Sequence, residues 1–156
     1  VLVEPQMKNT DFPKVLGTDG KKKMGKSENN HIELALTPEE TNKVVSTMVT
    51  DPQRVRRTDP GNPDVCNVFT LHKYFSTDDK VAAINTECRK ADIGCVDCKR
   101  ILSDAINEHL DPFRERRAEL SRNPQYIWDI LHDGADRARK IARNTIAEVK
   151  SATGIA

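Results

Sequence analysis

The sequence predicts a mainly α-helical fold, a helical bundle, and three observations lead to this prediction. Apolar residues recur at spacings of three and four along much of residues 37–154, which is the period of helices that bury one face. Helix-start sequences, above all Thr37-Pro38-Glu39-Glu40, precede these segments. Aromatic residues make up only 4% of the chain and charged residues 31%, so we expect the bundle to enclose a modest core.

The first helix is predicted to begin at Pro38 and to end near Met48 or Val49. Thr37 is placed to cap its first turn, proline suits the first helical position, and Glu40 completes a capping box. The following Asp-Pro pair at 51–52 cannot continue a helix easily, so we expect the helix to end before it.

Two shorter helices are predicted to follow. Asp64 is placed to cap the first, and Ser76 or Thr77 to cap the second. The first helix carries the residues Cys66, Val68, Phe69, Leu71, His72 and Phe75. In the second helix Val81, Ile84 and Cys88 are three and four residues apart, so we expect Cys88 to point towards the core.

Two long helices are predicted to complete the chain. One runs from Cys95 to about Ser121, and Pro112 is expected to kink or break it near Leu110. The other begins at Asn123-Pro124 and ends at Gly154. Its predicted apolar face consists of Ile127, Leu131, Ala135, Ala138, Ala142, Thr145 and Val149.

The chain's four cysteines are confined to residues 66–98 and are Cys66, Cys88, Cys95 and Cys98. Cys95 and Cys98 lie three residues apart, which places both sulfurs on one face of a helical turn. The predicted helix N-terminus and the nearby basic residues favour the thiolate form. Because thiolates bind metals, the four cysteines are candidate ligands of one metal centre.

Three interpretations of the cysteines remain open at this point. They are four unrelated buried thiols, a pair of disulfides, which needs an oxidising compartment, or a metal site with four thiolates. Both zinc and a [4Fe-4S] cluster accept four cysteines. The presence of one short Cys-x-x-Cys pair instead of two favours the cluster, but spacing alone does not decide between the two metals.

Charge and composition limit the remaining function classes. The net charge is only +1, so a nucleic-acid surface would have to be a local patch. No apolar stretch reaches the length of a membrane span, and the four dispersed histidines form no catalytic set with Ser, Cys or Asp. Two groups of basic residues are candidates for binding phosphate. An ordinary solvated surface explains each group at least equally well. They are Arg54, Arg56 and Arg57, and Arg137, Arg139, Lys140 and Arg143.

Residues Lys23-Met24-Gly25-Lys26-Ser27 resemble the KMSKS motif of class I aminoacyl-tRNA synthetases, with Gly25 in place of the first serine. The flanks, from Pro13 to Gly20 and from Ser27 to Asn30, are similar to those of bacterial tryptophanyl-tRNA synthetases. Further similar stretches are 49–52, 54–61, 66–69, 94–99 and 114–117. The resemblance therefore covers essentially the whole chain and distinguishes this group from the tyrosyl enzymes.

The resemblance implies an ATP-dependent activation of tryptophan and its transfer to tRNA(Trp). Lys23 and Lys26 match the two lysines that stabilise charge on the phosphates, and residues 23–27 match the ATP-binding loop (Lys23, Met24, Gly25, Lys26 and Ser27). Residues 1–36 would be the end of a Rossmann-like catalytic domain and residues 37–156 a helical anticodon-binding region. Some members carry a [4Fe-4S] cluster on cysteines spaced like Cys66, Cys88, Cys95 and Cys98, with Zn²⁺ as the alternative.

The family's HIGH motif is absent from residues 1–156. The resemblance therefore implies the C-terminal part of a cytoplasmic, homodimeric enzyme, inactive alone. The first rival hypothesis is a non-catalytic nucleic-acid-binding module with structural zinc. The second is a thiol redox protein using Cys95-Val-Asp-Cys98, which would need a βαβ context that the helical periodicity does not offer.

Overall fold

A computed structural model describes residues 1–9 and 14–155 and confirms the mainly helical fold. Within these residues the α-helices are α1 (Pro38–Ser46), α2 (Asn67–Phe75), α3 (Asp78–Arg89), α4 (Cys95–Ser121) and α5 (Pro124–Thr153). Short 3-10 turns cover Lys26–Glu28 and Pro63–Val65. The only β pairing among the described residues is one antiparallel bridge between Leu16 and Lys23. Pro13, in the predicted flank of the loop, lies outside the described residues.

The chain divides into two compact units. The larger unit is Asp11–Arg114, and the smaller unit comprises Val1–Thr10 and Glu115–Ala156. This division follows packing and does not test the functional division into residues 1–36 and 37–156, which stays a prediction.

Helix α1 confirms the predicted capping box. The Thr37 side chain accepts a hydrogen bond from the Glu40 amide at 3.2 Å, and the Glu40 carboxylate accepts one from the Thr37 amide at 2.8 Å. The helix ends at Ser46, earlier than predicted. The Thr47 hydroxyl donates to the Val44 carbonyl at 2.8 Å, and this local bond competes with another helical turn.

The predicted start of α2 is wrong by two residues. The Asn62 side chain, and not that of Asp64, accepts a backbone hydrogen bond, from the Asp64 amide at 3.0 Å. This bond begins the 3-10 turn, and α2 starts only at Asn67, with Cys66 as its N-cap residue. Thr77, one of the two residues predicted, is the N-cap residue of α3.

Helix α4 is not broken at Pro112 but continues to Ser121. Side-chain bonds join the turns on either side of the proline. Arg114 donates to Asn107 at 2.9 Å and forms an ion pair with Asp111 at 2.8 Å. It also donates to the buried Thr41 hydroxyl of α1 at 3.0 Å. These bonds offset the one helical hydrogen bond that proline removes, so the predicted break does not occur.

The hydrophobic core lies in the larger unit. Its fully buried centre comes from α1, α2 and α4 and consists of Val45, Val68, Leu71, Leu102 and Ile106. Helix α5 is capped by Asn123 and by Gly154 (φ 69°) as predicted, but none of its described residues is buried. No described helix is both long enough and apolar enough to span a lipid bilayer.

Candidate functional site

The lysine-rich loop is folded back on itself. The Met24 amide donates to the Val15 carbonyl at 2.8 Å, and the Gly17 amide donates to the Lys22 carbonyl at 2.9 Å. Gly20, at φ 64°, turns the chain between them, a backbone conformation that residues with a side chain adopt only with strain. The segment around residues 15–24 is therefore an ordered reversal of the chain.

The second half of the loop is a 3-10 turn that presents the two predicted lysines. Gly25 is extended, Lys26–Glu28 form the turn, and Asn29 ends it at φ 51°. Lys23 and Lys26 are both exposed. Lys22 instead pairs with Glu28 at 2.5 Å. The loop thus holds two ammonium groups in solvent, three residues apart.

Asn30 lies at the centre of the loop and is 3% exposed. Its side-chain carbonyl accepts a hydrogen bond from the Gly25 amide at 2.9 Å. Its amide nitrogen lies 3.3 Å from the carboxylate of Asp19 and 3.4 Å from the carbonyl of Lys23. The Asp19 carboxylate accepts hydrogen bonds from the Lys21 amide and from the Asn30 side chain. These bonds, above all that of Lys21, lower the pKa of the Asp19 carboxyl group. Asn30 therefore joins the two halves of the loop.

Two contacts fix the loop to the helical part of the larger unit. The Asn67 side chain, in the first turn of α2, donates to the Gly17 carbonyl at 2.7 Å. The Val49 amide donates to the Thr18 carbonyl at 3.2 Å. Beside them, Met24 lines an apolar cavity of about 440 Å³ together with residues of α2 and α4, including Leu71 and Ile106. Asn30 and Asn67 were missed by sequence reasoning, because a single asparagine carries no periodic pattern.

The cysteines come from the ends of three helices. Cys66 precedes α2, Cys88 lies in the last turn of α3, and Cys95 and Cys98 lie in the first turn of α4, as predicted for that pair. All four are free thiols. Cys66 and Cys98 are buried, and the other two are partly exposed. Among the described residues, however, no group of three or more His, Cys, Asp or Glu side chains is arranged to hold a metal ion.

A half-buried arginine joins two of the cysteines. One guanidinium nitrogen of Arg54 lies 3.8 Å from the sulfurs of both Cys88 and Cys95. The other terminal nitrogen donates to the carbonyls of Arg57 and Ile93, each at 2.8 Å. Both terminal nitrogens of the guanidinium thus have contacts within the fold, and a phosphate-binding role of Arg54 stays a prediction.

Burial favours the protonated form of three of the thiols, those of Cys66, Cys88 and Cys98. Burial raises the pKa of Cys66 and of Cys88, although Arg54 opposes the shift at Cys88. Burial, reinforced by the other three cysteines, raises the pKa of Cys98 to about 12. The predicted thiolate-favouring effect of the helix N-terminus is therefore wrong for Cys98, because desolvation exceeds it.

Two further residues lie against the cysteines. A Cβ atom added to Gly61 would lie 2.5 Å from the Cys88 sulfur and 3.2 Å from Arg54 Cδ, so only glycine fits there without a shift. The fully buried His72 places its Nε2 3.2 Å from the Cys98 carbonyl, and its Nδ1 contacts Ser76 Oγ at 2.8 Å. Burial lowers the pKa of His72.

Comparison with known proteins identifies the family. The family model described as tRNA synthetases class I (W and Y) matches residues 5–111, more than half of the chain. The chain belongs to this class I tRNA synthetase family. This match includes the whole lysine-rich loop and all four cysteines.

Curated relatives of this synthetase family match almost the whole chain. Tryptophan–tRNA ligase of Aquifex aeolicus is 42% identical over 99% of the chain, and that of Thermotoga maritima is 38% identical over 99%. The chain spans 39% and 47% of these two relatives, respectively.

A crystal structure of tryptophanyl-tRNA synthetase from Campylobacter jejuni, complexed with ADP and tryptophan, matches 94% of the chain with a TM-score of 0.78 and 30% identity. The chain corresponds to 45% of that protein. The helical arrangement described above is therefore shared with a synthetase of this family.

Proposed function

We propose that this chain works as part of a tryptophan–tRNA ligase, which activates tryptophan with ATP and transfers it to tRNA(Trp). The observation that supports this most directly is the ordered loop that holds the exposed Lys23 and Lys26. The loop lies within the family match, and the curated relatives are tryptophan–tRNA ligases.

The proposed role of the two lysines is electrostatic. Residues 23–27 would bind the triphosphate of ATP, and the ammonium groups of Lys23 and Lys26 would stabilise the negative charge that develops as pyrophosphate leaves. Fixed charges need no reorganisation at the moment of reaction. Gly25 removes the hydroxyl found in the KMSKS motif but keeps both lysines. A Cβ at Gly25 would contact only the Lys23 carbonyl oxygen, at 3.8 Å, so the loop has room for serine.

A chimaeric enzyme tests this role. Residues 1–156 replace the matching segment of the Aquifex aeolicus ligase, and tryptophan-dependent ATP–pyrophosphate exchange is measured. Lys23→Ala and Lys26→Ala should each lower kcat about a hundredfold. The control is Lys21→Ala, an exposed lysine in the same run, and it should retain activity. Equal activity in all three variants would contradict the proposed role.

The isolated 156-residue chain should show no exchange activity, because it lacks the HIGH motif. The tRNA contacts, the homodimer and the cytoplasmic location of the intact enzyme stay predictions.

On α5, Arg137 pairs with Asp133 at 3.0 Å, and Arg139 pairs with Asp136. Lys140 and Arg143 line a surface depression beside them and are the better candidates there for contacting RNA phosphates.

We further propose that Cys66, Cys88, Cys95 and Cys98 hold a structural [4Fe-4S] cluster. Four thiols at three adjoining helix ends supply the donor set, and Arg54 supplies a positive charge beside two of them. The single short Cys-x-x-Cys pair among the four favours the cluster, because structural zinc sites usually have two such pairs.

Anaerobic purification tests the metal proposal. About four irons and four sulfides per chain, with a brown colour, would support the cluster. About one zinc per chain would instead indicate a zinc site. Cys95→Ala should release the iron and lower the melting temperature, since ligand binding contributes to folding free energy. Val96→Ala, at an 81% exposed neighbour, is the control and should keep both iron and stability. Metal-free wild-type protein would contradict the proposal.

A further inference from the structure

The loop conformation depends on a buried side chain that lies outside the matched motif. Asn30 accepts the Gly25 amide at 2.9 Å, and its own amide faces the Lys23 carbonyl at 3.4 Å. Gly25 lies between the two lysines, and Lys23 is one of them. The Asn30 side chain therefore fixes the backbone at the two positions that determine where the lysine side chains begin.

The space around Asn30 allows little alternative packing. A Cβ atom added to Gly17 would lie 2.2 Å from the Asn30 side-chain carbon and nitrogen, so the asparagine lies directly on the Gly17 backbone. The carbonyl of Gly17 in turn accepts from Asn67 of α2 at 2.7 Å. The backbone carbonyl of Asn30 accepts a hydrogen bond from the Thr18 amide at 2.8 Å. A continuous set of contacts therefore runs from α2 to the backbone of Lys23.

Asp19 completes the arrangement from the other half of the loop. Its carboxylate lies 3.3 Å from the Asn30 amide nitrogen and accepts the Lys21 amide at 3.1 Å. An asparagine suits this position because it offers both an acceptor, for Gly25, and a donor, for Asp19. An aspartate of the same size would keep the acceptor and replace the donor with a second negative charge.

We propose that Asn30 is a positioning residue, which holds Lys23 and Lys26 in place through Gly25, Lys23 and Asp19. The consequence for ATP rests on the proposed function of the loop, but the positioning itself does not. A residue that only contributes to the core would affect the whole larger unit. A positioning residue affects the loop first, and its loss can be repaired by restoring the hydrogen bond with exchanged partners.

The test uses the 156-residue chain and three variants. In Asn30→Asp, two carboxyl groups face each other, and the hydrogen-bond donor to Asp19 and Lys23 is lost. In the double variant Asp19→Asn with Asn30→Asp, the side-chain amide at position 19 can donate to the carboxylate at position 30. The donor to the Lys23 carbonyl stays lost, so the exchange restores only the bond between positions 19 and 30. Asn29→Asp makes the same chemical change one residue away, at an exposed side chain without a hydrogen bond to the described residues, and is the matched control.

The main readout is hydrogen exchange of the Gly25 amide. An aspartate at 30 keeps an acceptor for Gly25, but Asp19 and the Lys23 carbonyl would both repel it. We therefore expect Asn30→Asp to lower the protection about tenfold, the double variant to recover part of it, and Asn29→Asp to leave it unchanged. In Asn30→Asp the two carboxyl groups can share a proton, so protection should be higher at about pH 5 than at about pH 8. The melting temperature should change little. Unchanged protection in Asn30→Asp, or equal losses in single and double variants, would overturn the proposal.

Titration with MgATP separates this inference from the proposed function. In the wild type we expect ATP to shift the amide signals of Lys23 and Lys26, with weaker binding in Asn30→Asp and partial recovery in the double variant. If ATP shifts neither signal in the wild type, the proposed role of the loop is contradicted, while the exchange result still decides whether Asn30 positions it. Equal ATP affinity in wild type and Asn30→Asp would overturn the positioning of the lysines for ATP.

Discussion

Helices α4 and α5 are similar in length, at 27 and 30 residues, yet they differ in what they bury. Six residues of α4 are buried, including Leu102, Ile106 and Leu110. None of the described residues of α5 is buried, although its apolar spacing is at least as regular. Leu131, in the predicted apolar face of α5, is 54% exposed, whereas Leu102 is fully buried.

This difference shows what amphipathic spacing can and cannot predict. The spacing predicted that both segments are helical, because a periodic apolar face favours that backbone. It did not predict what each face contacts, because contact depends on neighbouring elements. In α4 the loop before α1, the helix α2 and the cysteine segment provide those neighbours.

The strongest test of the comparison truncates one leucine in each helix. Leu102→Ala should lower the free energy of unfolding by about 2–5 kcal/mol, since it leaves a cavity in a packed core. Leu131→Ala should cost only a few tenths of a kcal/mol, about the difference in helix propensity. Urea unfolding followed by circular dichroism measures both. A loss at Leu131 as large as that at Leu102 would show that the α5 face is covered in solution.

A second pair replaces one glycine in each unit with alanine. Gly61→Ala should destabilise the larger unit by about 1–3 kcal/mol, because the new methyl group meets Cys88 and Arg54. Gly134→Ala in α5 meets nothing within 4 Å and should stabilise that helix by about 1 kcal/mol. The melting temperature of each variant, relative to that of the wild type, provides the comparison. Opposite signs are expected, and equal signs would contradict the described environments.

The smallest expected effect concerns two histidines. Burial lowers the pKa of His72 below 6.5, so its contribution to stability is present above pH 6.5 and is lost as the pH falls through the folded-state pKa. The wild type should therefore unfold more easily in mild acid than at neutral pH. His72→Gln should reduce this dependence, while His132→Gln, at an exposed residue of α5, should retain it. An unchanged pH dependence in His72→Gln would contradict this.

The sequence predicted much of the local structure and little of the tertiary chemistry. Thr37, Asn123 and Gly154 act as predicted because capping depends on adjacent residues. Pro112 does not break α4, since Arg114 forms bonds across the proline that the pattern does not reveal. The sequence made Arg54 a candidate for binding phosphate. In the structure its guanidinium contacts the sulfurs of Cys88 and Cys95, which lie far from Arg54 in the sequence.

The positions of the cysteines also affect the order in which the chain can fold. All four lie within residues 66–98, so only short loops must close to bring them together. Loop-closure entropy rises with loop length, so these contacts can form before α1 and α4 pack over their full lengths. A group bound by the four thiols would then act as an early folding nucleus, and its loss should slow folding more than it speeds unfolding.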